Sequence, residues 1–65
     1  MKPLRSDEKI ALDGWYESYN IIHVWRRDDV ALVVIKTNTG VEFVRLFGHD
    51  AQGRVMISID GKADL

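Results

Sequence analysis

The sequence predicts a mainly β fold, α+β by element count: a short N-terminal helix followed by a four-stranded antiparallel meander, curled or small and barrel-like. Three observations carry this expectation. Four segments rich in β-branched and aromatic residues, IIHVW, VALVVIKT, VEFVRLF and RVMISID, follow one another from Ile21 onward. Their connections are short, and two of them contain glycine where a left-handed backbone is wanted. Ahead of them, one apolar stripe at helical spacing follows a helix-start signature.

Residues 1–5 are polar around Pro3 and are expected to form a flexible N-terminus. Ser6 followed by Asp7 and Glu8 reads as a hydroxyl cap and then acids where the helix dipole favours them. Leu12, Trp15, Tyr16 and Tyr19 fall at i, i+3, i+4 and i+7. Gly14 interrupts that stripe at a cost of about 1 kcal/mol relative to alanine. The helix is therefore expected over residues 6–13, with an extension to 19 as its longer form. The rival reading turns at Asp13-Gly14 and starts a strand at Trp15.

In the strand region, VALVVIKT is apolar on both faces. VEFVRLF alternates, with Val41, Phe43, Arg45 and Phe47 on one side, and RVMISID places Val55, Ile57 and Ile59 together. Asn38-Thr39-Gly40 and Asp50-Ala51-Gln52-Gly53 are hairpin loops; Asp28-Asp29 is a turn without glycine. Short connections make antiparallel neighbours, hence a meander. Gly61 is expected to end the last strand, giving one domain over 6–61 and a tail at 62–65. A second strand apolar on both faces favours curling or a second layer.

Sixty-five residues make one small domain, which buries only about 60% of its unfolded surface. The chain has no cysteine, so neither disulfides nor thiolate metal ligands stabilise it. That leaves a well-packed single core or self-association to stabilise so small a scaffold. The net charge is −1, without the basic excess of general nucleic-acid binders. The longest apolar run, VALVVI, is far short of the roughly 18 residues that cross a bilayer. With no apolar stretch after MKPLRSDEKI, a cytoplasmic protein with no membrane partner is expected.

His23, Trp25, Arg26 and Arg27 form the first candidate cluster. An aromatic ring beside guanidinium groups anchors protein interfaces and stacks on bases. The plainer reading has Trp25 plugging the end of a small core while the arginines pair with Asp28 and Asp29. Trp15, Tyr16 and Tyr19 form the second cluster, read first as core packing and second as a contact patch. His23 and His49, with Asp28, Asp29 or Asp50, lack metal-site spacing, so no metal and no cofactor is expected. No GxSxG elbow, phosphate-cradling loop or nucleophilic cysteine occurs, and Ser6, Ser18 and Ser58 have no neighbouring His–acid pair. An enzyme is not expected.

The run TGVEFVRLFGHD, residues 39–50, resembles the first motif of Sm-like RNA-binding proteins: Gly40, Glu42, Phe43, Leu46, Gly48 and Asp50 match in type and order. The resemblance implies a short helix, a strongly bent five-stranded barrel, a ring oligomer and RNA at subunit junctions. The glycine of that motif between Phe43 and Leu46 is absent, the spacing is one residue short, and Arg54 stands near the expected asparagine. IIHVW would be an additional strand.

These observations lead to a non-enzymatic protein–protein binding or regulatory module, whose partner is another protein or its own copy. Its expected contact surface comprises Trp15, Tyr19, His23, Trp25, Arg26 and Arg27. The alternative is a small nucleic-acid-binding barrel using Trp25, Arg26, Arg27, Arg45 and Arg54 as one basic face.

Overall fold

A computed structural model describes residues 4–63. Helix α1 spans Ser6–Trp15, and strands β1 (Asn20–Arg27), β2 (Val30–Thr37), β3 (Gly40–His49) and β4 (Val55–Ala63) follow it. The strands form one antiparallel sheet in the order β1-β2-β3-β4. The mainly β meander with one short helix is therefore the fold that the sequence predicts. β1 and β4 are its two edges and do not pair with each other, so the sheet is open and not closed into a barrel. The five-stranded barrel implied by the Sm-like resemblance is absent among the described residues.

The helix runs past residue 13 to Trp15, through Gly14. Ser6 is its first residue and not its cap, which is a correction to the sequence reading. Arg5 holds the cap position, and its backbone N–H donates to Glu8 Oε1 at 2.9 Å. The Glu8 carboxylate thus accepts the cap residue's own N–H, the glutamate half of a capping box. Tyr19 falls beyond the helix, in the link to β1.

The turns are built by local chemistry. Asp28 itself takes the left-handed conformation, at φ 53°, closing a two-residue link without glycine; aspartate tolerates this region better than most residues. Asp50 accepts the backbone N–H groups of Gln52 and Arg54 at 2.9 Å each, capping its loop as expected. Gly61 does not end β4, which continues to Ala63. Its pairing shifts there, from Val44 opposite Ile59 to Phe43 opposite Gly61, and glycine carries the φ of 152° that this bulge needs.

The register sorts the side chains onto two faces. Val24, Ala31, Val33, Ile35, Val44, Leu46 and Val55 share one face and form the core with Leu12 of α1. Leu4, Ala11, Tyr16, Tyr19 and Ile57 pack around that core. The helix therefore covers this face.

One ion pair ties helix to sheet across the chain. Glu8 is 1% exposed. Arg26 Nη1 donates to Glu8 Oε2 at 3.0 Å, and Nη2 donates to Oε1. Ala31, opposite Arg26 in the register, is the smallest side chain on that face of β2 and leaves room for the fork. Burial opposes the Glu8 charge, but the Arg26 bonds and the Arg5 N–H outweigh it and hold the carboxyl below its ordinary value. At the helix start, His49 Nε2 lies 3.0 Å from Asp7 Oδ2, a second link between α1 and the sheet. Glu8→Gln leaves Arg26 without its counter-charge and is expected to cost about 2–4 kcal/mol in denaturant unfolding. Replacing Glu8 and Arg26 together by methionine is expected to recover most of that loss. Because the folded carboxyl lies below its ordinary 4.5, its stabilisation is complete above that pH and is lost as pH falls through the folded value. Acid titration of stability is expected to show a shallower acid limb in Glu8→Gln than in the wild type.

Candidate functional site

The face opposite the helix has no covering layer among the described residues. Its rungs read His23–Val34–Phe43, Trp25–Leu32–Arg45–Ser58 and Arg27–Val30–Phe47–Met56. Trp25 is 49% exposed, and the His23 and Trp25 rings lie 4.1 Å apart, tilted by 54°. Val30 and Met56 are exposed, and Leu32, Phe43 and Phe47 are half-buried. Together they make an apolar, aromatic surface with Arg27 and Lys36 at its margins and Arg45 set among it, between Phe43 and Phe47 on β3. Arg45 is held by Asp60, with Nη2 donating to Oδ2 at 2.8 Å.

The expected contact residues divide among four places. His23, Trp25 and Arg27 lie together on the helix-free face, as their alternation requires. Arg26 points to the other face and is engaged by Glu8, not by Asp28 or Asp29. Tyr19 is half-buried and bound to the helix: its hydroxyl donates to Asp13 Oδ1 at 2.6 Å, and Lys9 Nζ sits 3.1 Å from the same oxygen of Tyr19. Trp15 ends α1 and is 60% exposed, at a groove of about 840 Å³ between α1 and the start of β4.

The five residues of the alternative basic face are also divided. Trp25, Arg27 and Arg45 share the helix-free side, and Arg26 faces the opposite way. Arg54 precedes β4 and contacts Asp50, Nε to Oδ2 at 3.2 Å. The Asp50 carboxyl is lowered from its ordinary value, first by the Arg54 backbone N–H, so this pair is a loop brace. Among the described residues no group of three or more histidine, aspartate or glutamate side chains gathers in the manner of a metal site. No described helix is long and apolar enough to cross a membrane.

Sequence reasoning did not assign Val30, Leu32, Phe43, Phe47 and Met56 to the candidate surface. Their signal was present in VALVVIKT, a strand apolar on both faces in a chain with one predicted helix. One helix covers one face, so the second apolar row is left without a layer.

No protein-family model, curated protein or solved structure matches this chain.

If Trp25 belongs to a surface and not to the core, truncating it costs little. Trp25→Ala is expected to lower unfolding stability by about 1 kcal/mol, against about 3–5 kcal/mol for a tryptophan removed from a core. Urea denaturation followed by circular dichroism measures the difference.

Proposed function

We propose that this protein is a non-enzymatic protein–protein binding module, with regulation by occupancy as its mode of action, and that it receives its partner on the helix-free face of the sheet. One observation carries the reading: α1 covers one side of a sheet whose other side holds Trp25, Val30, Leu32, Phe43, Phe47 and Met56 in adjoining rungs. Contiguous exposed apolar surface rimmed by polar groups is typical of interaction sites. Tryptophan and arginine are enriched among residues that dominate binding energy, and Trp25 adjoins Arg27 along β1 and shares a rung with Arg45, beyond Leu32.

The chemistry suits a protein better than a phosphate backbone. Arg45 is engaged by Asp60, Arg54 by Asp50 and Arg26 by Glu8, so three of the four arginines of the alternative basic face have carboxylate partners within the chain. Phosphate binding depends on cations that can release counterions, and paired guanidinium groups supply fewer of them.

The test is affinity capture with the wild type, Trp25→Ala and a helix-side control, Ile10→Glu. A protein retained by the wild type and the control, and lost with Trp25→Ala, is the expected result. Co-purifying nucleic acid whose affinity falls steeply with salt, with no protein dependent on Trp25, contradicts the reading.

A further inference from the structure

The sheet ends at β4, whose outer edge is unpaired. The groove beside α1 runs along the start of this strand, with Met56 and Ile57 on one side and Ile10, Gly14 and Trp15 on the other. Ile10 is 70% exposed and Ile59 44%. An open strand edge is a template for another strand, and natural edges are commonly guarded by lysine, proline or a bulge. Val55–Ile59 contains neither lysine nor proline. It is also the regular part of β4, lying between the pairing shift at Phe47/His49 and the shift at Phe43/Val44, with Ile57 at its centre.

From this edge we propose that a second copy of the chain pairs antiparallel with β4 about a two-fold axis at Ile57. That register sets Ile57 against Ile57, Val55 against Ile59 and Met56 against Ser58. It also sets Arg54 of each copy against Asp60 of the other. The apolar positions of the helix-covered face stay on one face, because opposed residues in a sheet share a side. Arg54, exposed in its brace with Asp50, then meets an Asp60 that already holds Arg45, so each end of the seam gathers two arginines and two aspartates. Both helices lie on the same side of the doubled sheet, so the grooves bearing Ile10 and Trp15 flank the seam.

The other edge is a poorer seat. Beyond its bulge near Ile22, the regular part of β1 is His23–Arg27, centred on Trp25. Self-pairing there sets Arg27 against His23 and Arg26 against Val24, with no carboxylate opposite either arginine. The β4 contact is isologous and closes on itself, so it yields a dimer and not a filament. A standard interface buries about 800 Å² per partner, and the chain exposes 4650 Å² in all. A strand edge with two groove walls falls at the lower end of that range, consistent with a reversible dimer. This inference specifies the self-association form of the binding reading; the two surfaces share only Met56 and Ser58 at the β4 edge, and Trp25 lies on β1 at the opposite edge of the sheet.

Sedimentation equilibrium over a dilution series, on the full chain, tests it. The expected mass is twice 7.5 kDa at high concentration, falling to the monomer on dilution. Ile10→Glu and Arg54→Glu are each expected to weaken the dimer about tenfold, since each acts at both ends of the two-fold contact. Arg54→Glu with Asp60→Arg restores it, and Trp25→Ala leaves it unchanged, which separates this inference from the partner-binding face. The chain has no cysteine, so Ile57→Cys is expected to cross-link to its own copy on oxidation and Ile22→Cys is not. If Ile57→Cys does not fold, the charge exchange decides alone. A monomer at every concentration, a dimer indifferent to Ile10→Glu and Arg54→Glu, or cross-linking through Ile22→Cys overturns the proposal.

Discussion

The pairing of Glu8 with Arg26 sets the architecture, because it joins the only described helix to the first strand across the sequence and fixes which side of the sheet that helix covers. A carboxylate this buried is tolerated only with its partner in place. Glu8 has three sources of support: the two Arg26 bonds and the Arg5 N–H at the helix cap. One side chain therefore caps the helix and docks it. Tyr19, Asp13 and Lys9 form a second, exposed clamp at the far end of α1, and His49 with Asp7 a third near its start. These outer clamps are exposed and worth less individually than the buried pair.

Covering one face leaves the other without a layer, although Val34 and Val41 on that side are buried by their neighbours, and the same strands serve both faces. Along β2, Ala31, Val33 and Ile35 enter the core while Val30, Leu32 and Val34 face the other way. Along β1, Val24 and Arg26 turn inward while His23, Trp25 and Arg27 turn outward. A larger domain would place a second layer on that outward row. Among the described residues the single helix is already used on the core side. Both proposed contacts arise from this shortage of covering structure: a partner on the outward row, and a second copy at the β4 edge.

Much of this fold was legible because its strands depend on local preference. The β-branched runs and the Asp50 loop act within a few residues, and both appear where the sequence placed them. Gly61 misled for a local reason too: a glycine that reads as a terminator serves a bulge inside β4. The less legible features depend on contacts distant in sequence. Arg26 lies beside Asp28 and Asp29, yet its partner is Glu8, eighteen residues earlier. Nothing in the spacing distinguishes those carboxylates; the choice is made by the helix crossing the sheet. Tyr19 and Trp15 shared one predicted stripe, but the helix ends between them and their exposures diverge. The candidate surface was legible in Trp25 and His23, whose alternation fixes a shared side, and much less so in Phe43 and Phe47, whose exposure depends on where the helix goes.

The most direct test of this account is the set of methyl nuclear Overhauser contacts made by Leu12. The arrangement predicts contacts from Leu12 to methyl groups of its core cluster, Val33, Ile35, Val44 and Leu46, and none to Leu32, Val34 or the Phe43 ring. Contacts from Leu12 to Leu32 or Phe43 would place the helix on the opposite face and contradict the account.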